Sequence, residues 1–340
     1  MRFPHYLRTA GQILGEYKFQ TPLPGFLRNY FRRDRRMGST DRRTVSSLVY
    51  SYFRTGNLLR QLPPEERLQA AWFLCHEEST ALLDYFRPEW DRMAGAPPAA
   101  KLEVLGRTFG PLDLLDIFPL HQQLSPGIDA AGYALSMLSQ PRLFIRIKEA
   151  AAGAIKEKLR AEAIVFEELS STSLAFDNST RVDQALEGFR GSFEVQDLSS
   201  QLTGSYFQAG EGESWWDACA GSGGKSLMLN SLEPTVKLYV SDNRASILKN
   251  LEERFGAAGI RDYQMLLTDL LTEALPWVPG QFDGIILDTP CSGSGTWGRS
   301  PEMMAAFEES GIQTYCRLQK AIAGTVIPFL KPGKPLVYIT

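Results

Sequence analysis

The segment Asp288-Thr289-Pro290-Cys291-Ser292-Gly293-Ser294-Gly295 is the part of this sequence best equipped for covalent chemistry. A cysteine that follows proline in a glycine-rich loop is exposed and held still, and its thiolate is a strong nucleophile. One reaction that needs such a thiol is methylation of cytosine at C5. That carbon is not nucleophilic. Addition of a thiolate to C6 makes it electron-rich enough to take a methyl group, and removal of the C5 proton by a base then expels the thiol. Asp288 stands where it can bind the base edge during activation, and a stacked base must be turned out to be reached. Cys316, by contrast, falls on a helical pattern and reads as core.

A second glycine-rich segment, Asp217-Ala218-Cys219-Ala220-Gly221-Ser222-Gly223-Gly224-Lys225, follows an apolar strand and leads into a helix. Glycines let the backbone approach a ligand closely, and the helix start offers N–H groups. Gly224-Lys225-Ser226 looks like the end of a phosphate-binding loop, but that motif needs glycine where Cys219 stands. The dinucleotide pattern G-x-G-x-x-G accepts Gly221 and Gly223 and fails at Ser226. Asp242 lies 18 residues after Gly224 and ends the next strand, where an acid can accept bonds from both ribose hydroxyls. Asp269 ends the third, positioned to meet an adenine. Either acid alone reads equally well as a helix cap. Three strand-end acids behind a glycine turn make one nucleoside cleft, and S-adenosyl-L-methionine carries adenosine without phosphate.

The elements that must position these residues alternate. Strands are predicted at Ser214–Asp217, 238–241, 265–267, 284–287 and Leu336–Ile339, with helices at 225–231, 244–257 and 312–330. That alternation means a parallel, doubly wound sheet, which binds ligands at the carboxyl ends of its strands. A small α+β stretch over 126–210 is predicted before it. It has a helix from Pro126 through Leu138, a helix at 151–161, and strands at 142–148, 163–166, 173–176 and 193–195. On the first strand Leu143, Ile145 and Ile147 share one face, and Arg142, Phe144 and Arg146 the other, a face that can meet RNA by stacking and charge. A purely structural linker fits that stretch equally well. Residues 1–125 read as helical. Asp41 caps a helix with the stripe Val45, Leu48, Val49 and Tyr52, and Pro64 starts one with Leu68, Ala71, Trp72 and Cys75.

Bulk properties set limits. A chain of 340 residues with 44% hydrophobic and 22% charged content makes two or three globular domains. It has no apolar run of membrane-spanning length and no signal core, and its four scattered cysteines form no C-x-x-C, so a cytoplasmic location is expected. His76 and His121 lack partners at ligand spacing, and no metal is expected. The net charge of −3 hides an asymmetry: residues 1–60 hold 12 Lys and Arg against the acids Glu16, Asp34 and Asp41, which suggests a polyanion partner.

Taken together, Asp217 to Lys225 resembles the D-x-C-A-A-P-G-G-K motif, and Asp288 to Gly295 the D-x-P-C-S-G-x-G motif, of the RsmB/Sun/NOP group of RNA cytosine-C5 methyltransferases. Gly191 to Asp197, with Ser200-Gln201, resembles the stretch before that group's cofactor site. Gly38 to Arg43, followed by Leu48, Tyr50 and Arg54, resembles the NusB-like helical RNA-binding domain. The resemblance implies a Rossmann-like class I methyltransferase domain at 211–340, C-terminally incomplete. Before it stand a NusB-like all-α domain at 1–125 and a small RRM-like α+β domain at 126–210. It implies S-adenosyl-L-methionine as cofactor, with contacts from Cys219, Ala220, Gly221, Ser222, Gly223, Gly224, Lys225, Asp242, Asp269 and Asp288, and it implies RNA (ribosomal RNA) as partner, no membrane association and a monomer. It departs from the group at Gly221-Ser222, where the group has Ala-Pro, and at Lys148, where it has Asn. Leu336 to Thr340 resembles the strand leading to the group's T-C motif, whose cysteine is the nucleophile while the P-C cysteine assists product release. That cysteine is not in this sequence, so by the resemblance Cys291 is the helper and the 340-residue chain is expected to bind cofactor without methylating; in the DNA cytosine-C5 methyltransferases the P-C cysteine is itself the nucleophile, which is the alternative role for Cys291. A non-catalytic RNA-binding scaffold that keeps the cofactor fold is the alternative reading. A methyltransferase for an exocyclic base amine is disfavoured, because such enzymes use an Asn/Asp-Pro-Pro-aromatic loop.

Overall fold

A computed structural model describes residues 2–33 and 37–340. The chain sorts into two compact units, Met1–Pro141 with Gly293–Glu309, and Arg142–Ser292 with Ser310–Thr340.

The first unit is all-α. Its longer helices are Phe3–Glu16, Leu23–Arg33, Ser39–Arg54, Pro64–Cys75 and Pro98–Phe109. The two stripes read from the sequence meet in its core: Val45, Leu48 and Val49 are buried with Leu68 and Trp72. Asp41 is not the cap residue. The helix begins at Ser39, and Asp41 sits in its first turn, where its carboxylate takes the Gly38 N–H at 3.1 Å and the Tyr6 hydroxyl. Cys75 lies against this core, and burial pushes its thiol up to about 11. His76 stacks on Trp72 and pairs with the Trp72 carbonyl and the Ser47 hydroxyl, a structural arrangement. The expected helix from Pro126 is shorter, Ala130–Ser136, because Gly127 takes φ +92° and Asp129 supplies the cap to Ala131 and Gly132. Trp297 and Met304, from the segment after the Cys291 loop, belong to this same core.

The second unit holds two sheets. The strands are β1 (Leu143–Ile147), β2 (Glu167–Glu168), β3 (Ser173–Phe176), β4 (Phe193–Val195), β5 (Ser214–Asp217), β6 (Lys237–Asp242), β7 (Tyr263–Leu267), β8 (Gly284–Asp288) and β9 (Leu336–Ile339). The small sheet is antiparallel in the order β2-β3-β1-β4. Its apolar face, Ile145, Ile147, Leu174 and Phe176, packs on Ile155 and Leu159 of the helix Ala152–Ala161. The strand expected at 163–166 is absent. Ala163 takes φ +55° and the Ile164 N–H returns to the Leu159 carbonyl, so these residues turn out of the helix, and β2 starts four residues later than expected. Arg146 does not face solvent on the opposite side of β1. It is buried and donates to Gln196 Oε1 at 2.9 Å and Ser231 Oγ at 3.2 Å, because a buried guanidinium must find acceptors.

The larger sheet is parallel, ordered β7-β6-β5-β8-β9. From β5 the chain steps outward through β6 to β7, then returns to the other side of β5 for β8 and β9. Such a reversal opens a crevice at the carboxyl ends of the two central strands. The loops that follow β5 and β8 are the two glycine-rich segments of the sequence. The helix expected to reach residue 330 ends at Val326, since Pro328 has no N–H to continue it. Cys316 lies exposed on that helix rather than in a core. No helix among the described residues is long and apolar enough to cross a membrane, and no group of metal-ligating side chains occurs among them.

Candidate functional site

The loop after β5 is pinned residue by residue. The Ala220 N–H donates to the Ser241 carbonyl at 2.9 Å, and the Ser241 hydroxyl donates to the Ala218 carbonyl at 2.8 Å. Gly221 takes φ +54° and its N–H donates to Asp242 Oδ2 at 3.0 Å. Gly223 takes φ +82° against Phe255 and Leu251. A Cβ there would come within 2.8 Å of Phe255 and 3.0 Å of Leu251, so glycine is required on both counts. The helix Gly224–Leu232 starts directly after it.

Three strand-end carboxylates, Asp217, Asp242 and Asp288, lie by this loop, and Asp269, expected to end the third strand, lies beyond its end. Asp217, buried at the end of β5, accepts the Ser226 hydroxyl on Oδ2 at 2.6 Å, while its Oδ1 is buried with no partner. Burial pushes this carboxyl up to about 7, against the pull of the Ser226 hydroxyl. Asp242 ends β6. Burial works against its charge, but Arg244 and backbone N–H donors outweigh that and hold it below the usual carboxylate range. Both of its oxygens are engaged: Oδ1 takes the Arg244 backbone N–H and Nε, and Oδ2 takes Arg244 Nη2 and the Gly221 N–H. Asp269 lies two residues past β7, and its Oδ1 accepts the Leu271 N–H at 3.0 Å. Asp288 ends β8 and is joined to Lys225 Nζ at 2.9 Å; the same ammonium donates to Ser200 Oγ at 2.7 Å. Lys225 thus ties the glycine loop's helix to the strand that carries the cysteine loop.

Two cysteines lie in this unit's expected site, and the environment separates them. Burial, and then the charges of Asp217, Asp242 and Asp288, push the Cys219 thiol up to about 12, so it stays protonated. Cys291 is half-buried in the loop after β8, less open than its sequence suggests. That loop is anchored at Thr289, whose N–H and hydroxyl both reach the Ile339 carbonyl, and at the Pro290 carbonyl, which accepts Gln319 Nε2 at 2.9 Å. Gln319 also donates to Thr340 Oγ1 at 3.0 Å and accepts the Tyr338 hydroxyl. The end of β9 and the cysteine loop are therefore neighbours. Sequence reading missed Ser200, Ser226, Arg244, Arg254 and Gln319. Ser200 carried a signal in its place beside Gln201, and Ser226 stood in the motif tests of the glycine loop.

The donor set fits an adenosine cofactor. A buried carboxylate oxygen without a partner, a positive-φ glycine turn and an ionised acid ending β6 supply polar groups at one strand edge without a phosphate cradle. The fold and this edge define a Rossmann-like unit with its crevice at the carboxyl ends of β5 and β8. Residues 205–340 match the family described as 16S rRNA methyltransferase RsmB/F. Ribosomal RNA small subunit methyltransferase B of Shewanella oneidensis is 32% identical over 150 residues, 44% of this chain and 35% of that protein. The match thus spans about a third of the length of such curated relatives. Two crystal structures share the fold. PH0851 covers 95% of this chain and 82% of its own at TM-score 0.67 and 19% identity. A methyltransferase homolog protein from Pyrococcus horikoshii covers 70% and 75% at TM-score 0.54 and 21% identity.

Proposed function

We propose that this chain is an RNA cytosine-C5 methyltransferase acting on ribosomal RNA, with S-adenosyl-L-methionine as cofactor, working in the cytoplasm as a monomer. The observation that carries the reading is the pairing of the glycine loop after β5 with the cysteine loop after β8 across the crevice, bridged by the Lys225–Asp288 ion pair. The relatives' names, ribosomal RNA small subunit methyltransferase B, point to the same substrate class.

Asp217, the 220–224 loop, Asp242 and Asp269 would hold the cofactor, which when bound supplies an electrophilic methyl group. Asp288, steadied by Lys225, accepts donors on the edge of a turned-out cytosine. One thiolate adds to C6, and after transfer a base takes the C5 proton as the thiol leaves. Cys291 is assigned to release, on the resemblance of its loop to the P-C motif. Thr340 follows β9 and is linked through Gln319 to the Pro290 carbonyl, so the end of β9 lies beside the loop of Cys291. The all-α unit is read as a NusB-like RNA-binding domain.

Calorimetry tests the cofactor reading. S-adenosylhomocysteine is expected to bind more tightly than NAD or ATP, and Asp242→Ala to weaken it by about 1–3 kcal/mol, the usual cost of losing a charged hydrogen-bond partner. Tighter binding of NAD would overturn the reading.

A further inference from the structure

Arg254 lies near the end of the helix Ala245–Ala258, outside both glycine-rich motifs. Its Nη1 donates to both the carbonyl oxygen and the hydroxyl of Ser222, each at 2.6 Å, and its Nη2 donates to Glu194 Oε2 at 2.5 Å. Ser222 stands between the two positive-φ glycines of the cofactor loop, Gly221 and Gly223. It is also the position where the resembled motif has proline, whose ring would fix φ on its own. A serine there has no such constraint, and its neighbours are glycines, the freest of residues.

We propose that Arg254 is the positioning residue of the cofactor loop, and that Glu194 on β4 holds it in place. One helix face addresses two successive loop residues by different means. Arg254 grips Ser222 through hydrogen bonds, while Leu251 and Phe255 press on Gly223. Glu194 matters because a guanidinium fork loses little freedom on binding when its second nitrogen is already fixed. Glu194 is itself set by the β1–β4 register, where it lies opposite Arg146, and Arg146 bonds Gln196 two residues further on. The small antiparallel sheet is thereby joined, through one carboxylate and one guanidinium, to the backbone that approaches the nucleoside. Its role in this chain is to brace that loop. Ordering the loop before the ligand arrives removes an entropic cost from binding.

This inference rests on the cofactor reading, so its test has one arm that needs no cofactor. Amide hydrogen exchange of the peptide 217–226 is followed in the ligand-free chain. Arg254→Met keeps the aliphatic stem and loses the fork; it is expected to raise exchange there at unchanged exchange of β5 and β6, with Arg254→Lys intermediate. Glu194→Gln is expected to give a smaller rise in the same peptide. Unaltered exchange in Arg254→Met would overturn the proposal, whatever the chain binds. The second arm measures S-adenosylhomocysteine affinity: about a tenfold loss is expected in Arg254→Met, the scale of one charged hydrogen bond. Combining it with Ser222→Ala should cost less than the two losses added, because both remove the same hydrogen bond. Full additivity, or equal affinity of Arg254→Met and the unaltered chain, would overturn it. Failure of the unaltered chain to bind would overturn the cofactor reading and leave the exchange result to decide the brace.

Discussion

At the scale of single residues, the site separates groups of the same type by environment. Cys219 and Cys291 both sit in glycine-rich loops; for Cys219, burial and then three nearby acids keep the thiol protonated. Asp217 and Asp242 both end central strands, yet Arg244 keeps Asp242 ionised while burial holds the proton on Asp217 up to about pH 7. The second pair gives a stability signature. In the unfolded chain Asp217 loses its proton near its ordinary value of 3.8, in the folded chain near 7. Between those values the unfolded state binds fewer protons, so this residue's contribution to stability falls as pH rises from about 4 to about 7 and is level above. Asp217→Asn removes the titration. Melting curves are expected to favour the variant most at pH 8 and to converge with the parent toward pH 4. A difference independent of pH would mean that Asp217 is ionised in the folded chain.

At the scale of elements, the parallel sheet depends on one close approach. Gly284 on β8 pairs with Trp215 on β5, and any Cβ at residue 284 would overlap the Trp215 ring. Gly284→Ala is therefore expected to lower stability by about 3 kcal/mol, the upper range for overpacking a core. Gly256→Ala, on a helix with nothing near the added methyl, should raise it by about 0.5–1 kcal/mol. Urea unfolding of both checks the contrast; equal effects would put the sheet's tolerance elsewhere. The strands of this sheet were legible as short apolar runs, a pattern that burial on both faces explains for the inner strands β5, β6 and β8: β5 and β9 fall where the pattern puts them, and β6, β7 and β8 extend it by a residue or two. The glycine turn and the loop of Cys291 were legible from residue type. What the pattern missed was set by long-range partners. Arg146 looked like a solvent-face residue because alternation reports the pleat and not what covers it. Arg244, Arg254 and Gln319 look like ordinary helix-surface residues until the fold brings Asp242, Ser222 and Pro290 beside them.

At the scale of the molecule, the basic first segment resolves into distinct roles. Arg54 is buried and donates to the Met137 and Ser139 carbonyls, so it serves the fold. Arg28, Arg32 and Arg33 are exposed on the helix whose Leu23, Leu27 and Phe31 face the core; Arg35 and Arg36 lie outside the described residues. Replacing Arg28, Arg32 and Arg33 by Gln is expected to weaken RNA binding and to reduce its salt slope by about one for each phosphate no longer neutralised. Filter binding across a salt series measures this, and an unchanged slope would leave these arginines as a solvated face. The same unit is discontinuous in sequence, since Gly293–Glu309 completes a core otherwise built from Met1–Pro141. On the ribosome this has a consequence for timing. The early helices leave the exit tunnel with the places for Trp297 and Met304 still empty, and stay so while Arg142–Ser292 is made. An apolar face left open through that interval is the kind of surface chaperones hold, so this nascent chain should engage them until residue 309 has emerged.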